Sequence, residues 1–278
     1  MITIENKNLI LTILSVLFCF AAIVLVTSLL NSYIIGISSS SLFRLFAFLL
    51  DMLINGIFCL YIIPYLILRP DGKITVSHYL TTIKIALKTP KIKSLLLGIG
   101  SAVLILLGTF IYSNLLGHSS FNFEIIFRYP SSNEIGFFTF IYNIIPALWE
   151  EIVFRGVILV LLLKKYEPKI AILIDGILFG FFHYINLAYG ADFISTLGQV
   201  AFTTFFGITL AYLFIKTKSL IPCIIAHYVN NAFQPLVSHN IPFSFYFFII
   251  FIVLLPTILS FFLIKYTLRI DEIISKSN

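Results

Sequence analysis

Trp149-Glu150-Glu151-Ile152-Val153-Phe154-Arg155 stands in the middle of an apolar run from Ile135 to Lys165 that is long enough to cross a bilayer. An acid or base at the bilayer centre costs about 2.5 to 3.5 kcal/mol on insertion scales, and such residues mark functional sites by default. Three of them in one span set the question that the rest of the chain answers.

The composition says that the surroundings of this run are also membrane. Of 278 residues, 60% are hydrophobic and 11% charged, and the mean hydropathy is +1.06. A soluble domain has roughly 45–50% apolar and 25% charged residues, so the chain is expected to be an all-α, polytopic membrane helical bundle. Its net charge of +6 resides in Lys and Arg between hydrophobic runs, which fits membrane topology and excludes nucleic-acid binding. Cys19, Cys59 and Cys223 lie singly in apolar segments, without the spacing of a metal site or a disulfide framework. The run from Leu9 to Leu30 is too long for the apolar region of a cleaved signal peptide and reads as a retained first span.

A spanning helix needs about 20 predominantly apolar residues. Eight segments qualify: Leu9 to Leu30, Leu42 to Leu68, Ser94 to Leu116, Ile135 to Leu163, Lys169 to Leu187, Phe193 to Ile215, Leu220 to Val237 and Pro242 to Ile264. Pro168, Pro222 and Pro242 fall at or near segment starts, where a missing N–H does least harm. Basic residues follow the even-numbered spans: Arg69 to Lys93 after the second, Lys164 and Lys165 after the fourth, Lys216 and Lys218 after the sixth, Lys265 and Arg269 after the eighth. By the positive-inside rule both termini are expected on the cytoplasmic side of the cell membrane. Ile74 to Lys88 is a basic amphipathic stretch suited to the cytoplasmic interface, and Phe121 to Tyr129 a shorter interfacial piece on the other side. There is no internal repeat, so the expectation is one membrane domain over 1–278 with a catalytic core at about 135–238.

The polar residues inside the spans divide by helix geometry. Glu151 and Arg155 are spaced i, i+4 with the acid first, the better orientation for pairing. Glu150 points about 100° away from Glu151, which leaves it outside that pair and available as a general base or acid. Asn143, seven residues earlier, shares its face. Span five adds His183, with Asp175 two turns before it and Asn186 one turn after; span seven adds His227 and Asn231 at i, i+4. Taken singly, each is explained by packing or an interhelical hydrogen bond. Taken together, at depths of roughly 10 to 21 Å from the cytoplasmic ends of their helices, they form a set suited to activating water and holding an oxyanion.

In these residues the chain resembles the CPBP family of intramembrane proteases, which contains the CAAX prenyl endopeptidases and the Abi or bacteriocin self-immunity proteins. The family pattern Glu-Glu-x-x-x-Arg, Phe-x-x-x-His and His-x-x-x-Asn is matched by Glu150, Glu151 and Arg155, by Phe179 and His183, and by His227 and Asn231. The resemblance covers spans four to seven. It implies that Glu150, assisted by His183, activates a water that attacks a peptide carbonyl, that His227 and Asn231 stabilise the oxyanion, and that Glu151 and Arg155 hold the site or meet the substrate's carboxyl terminus. Two His and one Glu are also a catalytic zinc set. No His-Glu-x-x-His helix is present and the family is glutamate-dependent, so no metal or other cofactor is expected, with zinc as the alternative.

The expected function is an intramembrane endopeptidase acting on a peptide or protein substrate at the lipid bilayer. The abundance of Ile, Phe, Asn and Lys suits an AT-rich bacterial genome, and with it peptide maturation or bacteriocin immunity. The alternative is a non-catalytic membrane scaffold or regulator of the same family. A proton-coupled transporter fits least, because symmetric broken helices are missing from the pattern.

Overall fold

The computed structural model describes residues 9–38, 40–67, 92–116, 137–237, 244 and 248–277. Among them there are eight helical segments and no strand, which makes this a polytopic all-α membrane fold. The segments are α1 (Leu9–Ile37), α2 (Ser41–Ile57, running on in π-helical winding through Phe58–Ile67), α3 (Ile92–Leu115), α4, α5 (Pro168–Phe182, tightening to 3-10 winding over His183–Tyr189), α6 (Phe193–Thr217), α7 (Ile221–Val237) and α8 (Phe248–Leu254, π-helical, then Leu255–Ser277). α4 is composite: Phe137–Tyr142, Ile144–Glu151, a π-helical Ile152–Ile158 and Leu159–Leu162. The expected interfacial stretches Ile74 to Lys88 and Phe121 to Tyr129 lie outside the described residues.

Six of the eight are long and apolar enough to cross a membrane by length and composition. The other two are α4, which carries the acidic motif, and α7, which carries His227 and Asn231; His183 is on α5, one of the six. α4 is divided into short pieces, and α7 has 17 residues, about 26 Å at 1.5 Å per residue against a hydrocarbon core of about 30 Å. Their polar residues dilute the apolar signal.

The described residues pack in two compact units. One comprises Met1–Ala86 and Phe123–Lys165, the other Leu87–Asn122 and Tyr166–Asn278. In the first, α2 is amphipathic in the inverted sense. Leu42, Leu49 and Leu53 face outward, while Arg44, Ala47, Asp51 and Asn55 are buried on the opposite face. A buried carboxylate needs donors, and those of Asp51 include Asn31 Nδ2, which donates to one carboxylate oxygen at 2.8 Å, and Asn55 Nδ2, which donates to the other at 2.6 Å. α4 is tied to α2 by the Tyr142 hydroxyl, which donates to the Arg44 carbonyl at 2.6 Å. One end of the Trp149 indole lies against Gly56, where an added Cβ would be 3.7 Å away.

In the second unit, close packing depends on small residues. Gly176 and Gly180, a Gly-x-x-x-Gly pair on α5, sit against Thr204 and Ile208 of α6, the spacing by which membrane helices approach closely. α6 begins at Asp192, whose carboxylate accepts from the Ile194 amide at 3.0 Å, the Ser195 amide at 2.9 Å and the Ser195 hydroxyl. Those bonds, the Ser195 hydroxyl first, hold its carboxyl below the usual carboxylate range. The cap is therefore intact at neutral pH and is lost only as pH falls through that lowered value.

A Cβ at Gly180 would meet the Thr204 hydroxyl and stand 2.9 Å from the Val200 carbonyl oxygen. Gly180→Ala is expected to push α5 off α6 and to cost about 1–3 kcal/mol, the usual penalty of overpacking. Thermal unfolding in detergent reads the loss.

Candidate active site

The acidic motif sits where α4 changes winding. Its helix is first interrupted at Asn143, whose Nδ2 donates to the Thr139 carbonyl at 2.8 Å. That side chain is thus engaged with its own backbone, at the N-cap of the Ile144–Glu151 helix that carries Glu150. From Ile152 the winding is π-helical, with i→i+5 bonding that widens the turn and that recurs at functional sites.

Across this junction Arg155 Nη1 donates to Glu151 Oε1 at 3.0 Å, both side chains having 0% exposure. This is the pair predicted by the i, i+4 spacing. Glu150 is only partly buried, as its 100° offset requires, and follows the buried Trp149. The first unit therefore holds Glu150, Glu151 and Arg155, a partly buried acid next in sequence to a completely enclosed ion pair.

The second unit holds the histidines. The α5 backbone tightens from α-helical to 3-10 winding at His183, and His183 Nδ1 lies 2.9 Å from the Phe179 carbonyl. A carbonyl only accepts, so Nδ1 carries the hydrogen and the neutral ring presents its lone pair at Nε2. The Phe179 ring meets His183 edge to face, with centroids 5.0 Å apart, and meets His227 in the same manner at 5.8 Å. Phe206 closes on the other side of His227 at 5.7 Å. His227 is thereby 2% exposed and clasped between two aromatic rings. Each of these edge-to-face contacts is worth about 0.5–1.5 kcal/mol beyond burial and fixes the ring plane.

One turn on, Asn230 Nδ2 donates to Asn231 Oδ1 at 3.1 Å. With its oxygen so occupied, Asn231 is left with its amide hydrogens as the groups to offer a ligand. Phe179 is thus the element that brings two of the expected residues, His183 and His227, together in this unit, with Asn231 following His227 on the same face of α7.

Three features escaped the sequence reading. Phe206 carries no signal, since an aromatic residue in an apolar helix is ordinary. Asn230, beside the motif residue, is buried and orients it. The polar face of α2 was readable: Arg44, Asp51 and Asn55 lie within an apolar run, and the test applied to span four finds them too. Asn186 turns to Gln199, donating to its Oε1 at 2.7 Å. Asp175 is completely buried on α5, two turns ahead of His183. Among the described residues no three His, Cys, Asp or Glu side chains gather as a metal-ligand set.

Residues 132–233 match the family model of the type II CAAX prenyl endopeptidase Rce1-like proteins. The matched stretch contains Glu150, Glu151, Arg155, Phe179, His183, His227 and Asn231. No curated protein and no solved structure matches the chain.

Proposed function

We propose that this chain, whose residues 132–233 match the Rce1-like family model, is a CAAX-type intramembrane protease of the CPBP family that hydrolyses a membrane-associated or C-terminal-tail peptide with Glu150 as the general base. Water loses a proton to the Glu150 carboxylate as its oxygen attacks the peptide carbonyl carbon, a step in which the family pattern implies assistance from His183. The resulting oxyanion accepts hydrogen bonds from His227 and the Asn231 amide. Collapse of the tetrahedral intermediate breaks the C–N bond, and the proton held by Glu150 passes to the departing amine, so that acid and amine products carry the elements of water. Glu151 and Arg155 hold the turn that presents Glu150 and stand outside the proton path.

The observation that carries this reading is the pair of imidazoles fixed on Phe179, one with its lone pair set at Nε2 and the other buried beside an amide whose donors are left for a ligand. Such preorganised donors are worth most where charge develops. The reading places the protein in the cell membrane with both termini cytoplasmic, acting in peptide maturation or bacteriocin self-immunity, and without a metal.

The metal-free chemistry is tested on the purified chain in lipid nanodiscs, given the membrane peptide fraction of its own cells with and without a strong zinc chelator. Cleavage is expected in both samples at rates within about twofold. Activity abolished by the chelator and restored by zinc would overturn the proposal in favour of zinc-activated water.

A further inference from the structure

Away from the motifs, α6 and α8 enclose a groove of about 280 Å³ lined by Tyr212, Ile258, Phe261, Phe262 and Lys265. Tyr212 and Phe261 are in ring contact across it, with centroids 4.6 Å apart. Ile258 and Phe262 are 49% and 48% exposed, which leaves the groove open along an apolar flank. One turn beyond the ring pair, each helix carries a lysine: Lys216 follows Tyr212 and Lys265 follows Phe261, both at i+4. Lys216 Nζ lies 5.8 Å from the Tyr212 ring centroid, and Lys265 Nζ lies 6.0 Å from that of Tyr266. The groove thus has an apolar body and a cationic end. Neither Phe193–Thr217 nor Phe248–Leu268 contains an Asp or Glu, the first acids on α8 being Asp271 and Glu272 beyond Arg269.

We propose that this groove binds an anionic phospholipid, one acyl chain lying over Ile258, Phe261 and Phe262 and the headgroup phosphate held by Lys216 and Lys265. Charge complementarity selects the occupant, because an apolar slot with Lys265 in its lining and Lys216 against the ring of its Tyr212 matches a molecule with an acyl chain and an anionic head. A protein partner is disfavoured by size, since a stable interface needs about 20–30 residues a side and the groove offers five. Basic pockets between spanning helices are established headgroup sites, and each basic residue near a membrane surface strengthens anionic lipid binding about fivefold, which gives about 25-fold for the pair.

The test is native mass spectrometry of the full chain released from detergent with added phosphatidylglycerol or phosphatidylcholine of the same acyl composition. The intact protein should retain phosphatidylglycerol about 25-fold more tightly, and K216Q/K265Q should lower that preference to within about twofold. K216R/K265R keeps the charge and should keep the preference, which separates loss of the site from misfolding. Ile258→Trp, which fills the slot, should weaken retention of phosphatidylglycerol at least fivefold, and inorganic phosphate should not compete at millimolar concentration. Equal retention of the two lipids by the intact protein, an unchanged preference in a folded K216Q/K265Q, or occupation of the groove by a second copy, seen as a dimer that Ile258→Trp dissociates, would each overturn the assignment.

Discussion

Glu150→Gln is expected to lower the rate of peptide cleavage by about 10³-fold or more while leaving the protein folded. Gln keeps the shape and hydrogen-bonding reach of the side chain and removes its ability to take a proton. General acid–base groups contribute about 10² to 10⁴ in rate, and in the proposed mechanism one carboxylate both accepts the water's proton and returns it to the leaving amine. The folding cost should be small, because Gln is isosteric with Glu and Glu150 is partly exposed. Single-turnover cleavage in nanodiscs, paired with a thermal melt, separates the two quantities. A folded E150Q protein that cleaves at the original rate would leave the second reading, a non-catalytic scaffold of this family, as the better one.

Arg155→Met has the opposite signature. Arg155 is among the largest side chains with no exposed surface, and its guanidinium is 3.0 Å from an equally buried carboxylate. Removing the cation leaves the Glu151 charge enclosed without it, a change that costs about 3–5 kcal/mol in buried pairs. The melting temperature should fall by on the order of 10 °C, with lower yield from the membrane. Replacing both partners, as in Glu151→Leu with Arg155→Met, removes the charge as well as its partner, and should restore most of the stability. If R155M melted like the unaltered protein, the pair would be a bystander, and the π-helical turn would owe its shape to packing alone.

The sequence reveals this site unevenly, for physical reasons. Charge in an apolar run is expensive enough that Glu150, Glu151 and Arg155 announce themselves, and helical spacing alone pairs the last two as they are found. The clasp around His227 is different. Phe179 is visible as part of a motif, but Phe206 is one aromatic residue among many, and only packing shows that the two rings hold the same imidazole. Changes of winding are also hidden, because the π turn after Glu151 and the 3-10 turn at His183 depend on how neighbouring helices fit, and not on local propensity.

The central claim is that Glu150 and His183 act as one unit on the same water, and its most direct measurement is a kinetic cycle of E150Q, H183A and the double variant. Groups that share a step are strongly non-additive. Each single variant is expected to lose about 10²-fold or more in single-turnover rate, with the double variant no more than a few-fold slower than E150Q alone. Losses that multiply, or an E150Q protein with full activity, would contradict the account.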